Sequence, residues 1–406
     1  IFGSGPKGSG FNSHHPDFMK NKLTQIFALH FFNDGFLASI ILLLPFIKGS
    51  LNLSLTQIGF LTSILSVSGI LLSLPAGYFG HKIGAIKILS FAIFFYSIGF
   101  IAVGLSFSYF YLTISFLIAA IGFGIFHPIA FSLVAKWSPI NKLGKAMGDF
   151  TAIGDVGRIA LSSAISFIIV AIGWQKTSII YGIISLFSIF IVMFLNNKED
   201  DVETKKNIIK INYWQIIKNT KFIFALLITF FDNLASSALF IFIPFLFLSR
   251  NINPSILGLF TSAFLVGNLI GKTTLGRLAD KYKNTKVFIV AEFFMAVFIF
   301  LLTLSYSQFL IILSVILGAL TAGTIPVRST MIFESTQHHK QYEKVFGIAS
   351  FVANIATSLA PIILGFIADK YGIVNAFNIA AIFALLAIIP AFIYSKEKKF
   401  ITNFSK

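Results

Sequence analysis

The chain has 406 residues, of which 56% are hydrophobic, 16% aromatic and only 11% charged. A soluble domain carries roughly 25% charged residues, so this composition excludes an ordinary soluble protein. The formal net charge of +16 does not point to nucleic acid, because the basic residues punctuate apolar runs instead of sharing one polar face. The absence of cysteine excludes disulfides, thiol chemistry and thiolate metal sites within the sequence. Lys outnumbers Arg 27 to 4 and Phe occurs 50 times. That bias reads as an AT-rich, bacterial genome, and it makes each Arg informative.

In chain order, residues 1–18 are Gly/Ser-rich with a His pair and read as an expression scar ahead of Met19. Twelve apolar segments follow, at roughly 23–47, 55–79, 86–106, 109–135, 146–172, 176–195, 222–248, 255–276, 287–306, 309–333, 345–368 and 374–394. Each approaches the roughly 20 residues that a helix needs to cross hydrocarbon. The expected domains are a six-helix bundle at 19–195, a charged linker at 196–220 ending in an amphipathic surface helix, a second six-helix bundle at 221–395, and a basic tail at 396–406. From Met19 onward, the chain ends and the loops after even-numbered segments hold 23 Lys and Arg, whereas the loops after odd-numbered segments hold four. By the positive-inside rule both termini are predicted to be cytoplasmic, with the basic loops against anionic inner-leaflet lipid.

The two halves align without gaps at a shift of 199 residues. Asn33-Asp34 falls on Asp232-Asn233, Gly59 on Gly258, Ser63 on Ser262 and Gly124 on Gly323. Six segments separate the copies, so they are parallel repeats, which place a substrate site near the membrane midplane between them. The predicted fold is therefore an all-α membrane protein of twelve transmembrane helices in two parallel, pseudo-symmetric six-helix bundles.

GRLADKYKNTK (Gly276–Lys286) and its weaker partner GYFGHKIGAIK (Gly77–Lys87), with the two six-helix halves and the charged central loop, resemble the major facilitator superfamily. The resemblance covers Met19 to Ser395. It implies a conformational latch built from Gly77, His81, Lys82, Gly276, Arg277, Asp280 and Lys281, with His81 standing where the first copy's acid is expected. A third echo, GFIADKYG, spans Gly365–Gly372. Within the superfamily, HFFNDGFLASIILLLPF (His30–Phe46) and GIFHPIAFSLVA (Gly124–Ala135) are similar to the fosmidomycin-resistance-like exporters. Ile129 departs from them where an acid often follows His-Pro. The resemblance also implies that segments 1, 5 and 7 line a central cavity.

Ionised groups in hydrocarbon face the bundle interior and pair. Asp34, Asp155 and Asp232 each lie ten or eleven residues from the inner end of a segment, about 15–17 Å deep. Asp155 and Arg158, at i and i+3, share a helix face. Two readings stand: a switchable ion pair in which protonation frees Arg158 for an anionic substrate, or a permanent bridge, or Asp cap, beside Gly154 and Gly157. Asp34 is the candidate proton carrier, or else a hydrogen bond stitching helices together. Asp232, matched to Asn33, is a candidate second cavity acid. His127 either bonds a carbonyl freed by Pro128 or lines the cavity. His30 and Asp34, at i and i+4, have a spacing that can hold a metal, but interior polar packing is the expected use and no metal is predicted. Arg328 with Asp149 is the expected cytoplasmic gate, formed when the inside is closed, the alternatives being that Arg328 pairs with Glu334 or snorkels, and Lys272 is expected to snorkel to the inner interface.

Nucleotide motifs, nucleophile–base sets and cofactor signatures are lacking in the sequence, so neither ATP drive nor enzyme activity is expected. The expected protein is a proton-coupled secondary transporter in a bacterial inner membrane, functional as a monomer, with a small solute and protons as partners, and leaning to export of an anionic or drug-like compound. Uptake of a carboxylate or siderophore-like anion is the alternative, and a membrane-embedded sensor or enzyme the remote one.

Overall fold

In hydrocarbon a backbone amide finds no water, so an apolar run of this length closes its hydrogen bonds within a helix. The computed structural model describes residues 16–139, 142–195, 218–336 and 342–396, and twelve of its helices are long and apolar enough to span a membrane. The first half comprises span 1 (Pro16–Leu51), span 2 (Leu55–Ile83), span 3 (Ala85–Leu105), span 4 (Tyr109–Trp137), span 5 (Leu143–Ile172) and span 6 (Trp174–Leu195). The second comprises span 7 (Thr220–Leu248), span 8 (Leu257–Lys281), span 9 (Asn284–Leu304), span 10 (Leu310–Thr336), span 11 (Tyr342–Tyr371) and span 12 (Ile373–Lys396). The predicted amphipathic helix and nearly all of the linker and basic tail lie outside the described residues. Span 1 already begins at Pro16, inside the stretch assigned to a scar.

Span 7 is interrupted between Ser236 and Leu239. The Ser236 and Ser237 hydroxyls donate to the Asp232 and Asn233 carbonyls, a back-bonding that bends helices. Span 1 has Leu37 and Ala38 at the repeat-related positions and stays continuous.

The repeat is visible in the packing. Span 1 lies on span 5 as 7 lies on 11, 2 on 4 as 8 on 10, and 3 on 6 as 9 on 12. Close crossings are made by small residues: Gly122 meets the backbone of Ala92 and Tyr96, and Gly271 that of Ala319. Gly69, by contrast, has nothing within 4 Å of where a Cβ would sit.

Span 2 packs on span 11 and span 5 on span 8, joining the halves along two seams. Ser63 Oγ donates to the Ser358 carbonyl at 2.5 Å, and Ser262 Oγ to the Ile159 carbonyl at 3.3 Å; these bonds are related by the 199-residue shift. Both lie toward the span ends remote from the chain termini. There Asp369 of span 11 accepts from the Leu55 and Thr56 amides at 2.8 and 2.7 Å, capping span 2 from the opposite half. At the other end Leu74 is 83% exposed and Gly77, Gly148 and Gly347 have no close neighbour. The halves are closed on the side away from the termini and stand apart on the side that carries them.

Candidate substrate and proton pathway

FTAIGDVGRIALSSA (Phe150–Ala164) puts charge into an apolar helix where glycines let span 5 press on span 1. A Cβ on Gly157 would strike the Phe31 carbonyl, and one on Gly154 would strike the His30 ring. That close crossing brings Arg158 to Asp34. Its Nε and Nη2 donate to Asp34 Oδ2 at 3.0 and 2.8 Å. Asp34 is buried, while the Arg158 side chain is 32% exposed.

The other Asp34 oxygen gathers three groups. Asn33 Nδ2 donates to Oδ1 at 3.1 Å, His127 Nε2 lies at 3.0 Å and His30 Nε2 at 3.3 Å. His30 Nδ1 donates to the Phe150 carbonyl at 2.7 Å, and its ring stacks on Phe150 at 3.8 Å between centroids. With Nδ1 carrying that proton, Nε2 of a neutral His30 is an acceptor facing an acceptor, so only a further proton or a cation can satisfy it. One ligand atom from each of His30, Asp34 and His127 falls within 4.8 Å of the others. The set has metal-ligating chemistry, but Arg158 already holds the same carboxylate, and a divalent ion would sit against that guanidinium. The cluster fits a proton better than a metal. His127 is half-buried and its Nε2 is directed at Asp34.

Asp155 and Arg158 are only weakly paired, at 3.8 Å. The principal partner of Asp155 is Lys272, at 2.6 Å, and this bond crosses from span 5 to span 8 and so links the halves. The expectation that Lys272 snorkels is corrected. Span 8 runs to Lys281, five residues past the predicted end, which places Lys272 about 14 Å from the helix terminus. An overlong Lys-containing turn was the available signal, and the early placement of the helix end concealed it.

The gate pair, expected on closure of the inner side, is not formed in this structure, where the halves stand apart on the side of the termini. Span 10 continues to Thr336, so Arg328 lies about 12 Å inside and its Nη1 pairs with Asp232 Oδ2 instead of Asp149 or Glu334. Asp149 is exposed, and Glu334 accepts from Asn284 Nδ2 at 2.7 Å. Thr324 Oγ1 donates to Asp232 Oδ1 at 3.0 Å, and Thr357 Oγ1 to Asn233 Oδ1 at 3.4 Å. The sequence reading leaves out Glu292 of span 9, which is fully buried beside Asp232. A lone acid in FIVAEFFMAV was signal enough. Among the latch residues, His81, Lys82, Gly77, Arg277, Asp280 and Lys281 are exposed and Gly276 half-buried, at the end where the halves stand apart.

Twelve helices in two parallel repeats, joined at one end and carrying buried ion pairs at mid-depth, define a membrane transporter of the two-bundle kind. The family model described as Major Facilitator Superfamily matches residues 26–245 and 225–405, and the chain belongs to that superfamily, a family of transporters and not of enzymes. An uncharacterized MFS-type transporter of Methanocaldococcus jannaschii is 23% identical over 368 residues, 88% of this chain and 93% of that protein. A probable nitrate transporter of Staphylococcus epidermidis is 26% identical over 377 residues, 90% of this chain and 94% of its own length. Among solved structures, a bacterial homolog of the human lysosomal transporter Spinster, inward-facing and unoccupied, aligns with TM-score 0.79 at 14% identity, covering 95% of this chain and 98% of that one. A D-xylose–proton symporter aligns at 0.75 and 17%, covering 94% and 97%. These structures share the fold.

Proposed function

We propose that this transporter moves a small anion together with protons by alternating access, and that its inner-membrane orientation places both termini in the cytoplasm. The observation that carries the reading is the pairing of a mid-membrane Arg with a buried Asp in each half, Arg158 with Asp34 and Arg328 with Asp232. While the carboxylate is ionised it occupies the guanidinium. Once protonated, it releases a planar donor fork suited to an oxyanion. Proton and anion then bind together, because each raises the other's affinity by the same factor. Co-loading with an inward proton gradient drives uptake. The relatives named as probable nitrate transporters support nitrate, or an anion of similar size, as the substrate class. With the termini inside, the closed end is external and the shape is inward-open. The fosmidomycin-like stretches His30–Phe46 and Gly124–Ala135 favour export as the second reading.

Reconstitution into proteoliposomes, with labelled nitrate as probe, tests this. An imposed inward proton gradient is expected to accumulate nitrate, and Arg158→Lys to abolish it. Nitrate flux indifferent to the gradient would remove the coupling. Outward flux driven by proton entry would replace uptake by export, and movement of an organic cation with no nitrate flux would overturn the anion reading.

A further inference from the structure

Span 9 carries a carboxyl that the Arg–Asp scheme does not use. Glu292 is fully buried among Phe288, Ala291, Met295 and Ala296, themselves buried. Neither of its oxygens has a donor among the described residues. The polar group within reach of its side chain is the Asp232 carboxylate, with Arg328 the next charge beyond. Both Asp232 oxygens are already served, Oδ1 by Thr324 and Oδ2 by Arg328. Span 9 packs on spans 12 and 10, with a smaller contact on span 8. Span 12 brings only Tyr394 and Lys396, at its far end, and the Tyr394 hydroxyl is engaged by the Met331 carbonyl. On span 8, Lys272 is held by Asp155, while Arg277, Asp280 and Lys281 are exposed near the helix end. From span 10, Arg328 is the one charge that faces the pair.

Two carboxylates against one guanidinium would leave a buried anion without a partner, which proteins avoid by neutralising the group. Two carboxyl oxygens that approach as acceptors become a hydrogen bond when one of them is protonated.

We propose that Glu292 is a second proton-binding site of this transporter, holding its proton between its own carboxyl and that of Asp232, and that this proton permits Arg328 to leave Asp232 for an anionic substrate. When Arg328 turns toward the anion, Asp232 loses its cation but keeps the Glu292 O–H as donor. The acid–carboxylate pair left behind carries one negative charge. Without the proton, two carboxylates clamp Arg328 and the anion loses that donor fork. No bond other than O–H is made or broken, and the proton comes from water. The occupancy of Glu292 stands on its burial, its lack of a donor and the carboxylate beside it; its role in the cycle rests on the proton-coupled reading above.

Infrared spectroscopy of the lipid-reconstituted protein at neutral pH reads the occupancy directly, through the C=O stretch of a neutral carboxyl. Glu292→Gln, an isostere of the protonated side chain, is expected to delete one such band. Asp232→Asn leaves Glu292 as the one carboxyl facing Arg328, so Glu292 is expected to ionise and the band to be lost in that variant too. A Glu292→Gln spectrum identical to wild type overturns the proposal. So does an Asp232→Asn band that stays as in wild type, or a band that disappears when sodium is added at constant pH. For the role, Glu292→Gln supplies a permanent donor to Asp232, so nitrate uptake should lose the part of its pH dependence that wild type shows; an unchanged profile sinks the role. A neutral Glu292 in a protein whose transport ignores proton gradients would refute the coupling and leave the site. Proton-driven transport without the band would do the reverse.

Discussion

The two halves share a scaffold and place different chemistry on it. In the first half Asp34 meets Arg158; the repeat-related positions in the second are Asn233 and Thr357, which also meet, at 3.4 Å, as a neutral pair. The second half takes its acid one residue earlier, at Asp232, and its base from span 10, at Arg328, where the first half has buried Ile129. Span 7 breaks just beyond Asp232, while span 1 runs on through Asp34. The Arg158 side chain is 32% exposed and Arg328 only 11%. The repeat fixes where polar side chains of spans 1 and 5, or 7 and 11, come together. Which helix supplies the cation, and how deeply, is decided residue by residue. The first half thus presents its guanidinium toward the opening between the bundles, and the second keeps its own behind a buried carboxyl pair.

Writing the second half's neutral pair into the first is the most severe way to break that contrast. Asp34→Asn with Arg158→Thr removes both charges together, which for buried pairs is often close to neutral for stability. Arg158→Ala alone leaves Asp34 without its cation, a loss of about 3 kcal/mol or more. The expected outcome is a double variant that melts near wild type and does not transport, beside a single variant with a clearly lowered Tm. Anion transport by the double variant would show that Arg158 serves packing and not substrate.

Much of this was legible in sequence because hydrocarbon permits few solutions. Apolar length gave the twelve helices, the 199-residue register gave the repeat, and intramembrane charge picked out Asp34, Asp155, Arg158 and Asp232. Partnerships were not legible. Lys272 and Arg328 were assigned to interfaces because helices 8 and 10 continue past the end of their apolar runs, and hydropathy cannot see a helix that goes on as a polar one. The tight crossing behind Arg158 is a second asymmetry of this kind. Gly154 and Gly157 correspond to Ala353 and Ala356, so span 11 crosses span 7 at a position where a methyl group fits. Gly157→Ala, which copies the second half's residue, would drive a methyl into the Phe31 carbonyl, and a backbone group cannot swing aside. Overpacking of this sort destabilises by about 1–3 kcal/mol and should loosen the Arg158–Asp34 bond as well. Ala356→Gly removes a fully buried methyl and should cost about 2 kcal/mol, from burial and propensity together, without disturbing the Arg158–Asp34 bond. Equal effects of the two variants on nitrate uptake would mean that the crossings are equally close.

The seams differ more gently than the sites. At the span 2–span 11 seam Asp369, from the third Gly-x-x-Ala-Asp-Lys echo, caps the start of span 2 across the halves. At the span 5–span 8 seam the corresponding residue is Val170, and Asn253 caps the turn before span 8 from within its own half. Both seams thus have a local cap indifferent to closure, Ser54 before span 2 and Asn253 before span 8, and the first adds Asp369, whose bonds exist only while the closed end stays closed. An N-cap residue contributes about 0.5–2 kcal/mol, so Asp369→Ala should shift the equilibrium toward opening of that end by about 2- to 30-fold. Asn253→Ala should destabilise the fold without moving that equilibrium. With no native cysteine, Ser358→Cys is a clean reporter. It is buried at the seam, and its part in the cross-half bond is a backbone carbonyl that the substitution keeps. Faster labelling of Ser358→Cys by an impermeant thiol reagent in Asp369→Ala, but not in Asn253→Ala, would assign Asp369 as the latch of the closed end. Labelling from outside the cell would also fix the membrane orientation, because the reagent reaches only the face opposite the termini if those are cytoplasmic. Equal rates in all three proteins would mean that the serine bonds and helix packing hold the seam unaided.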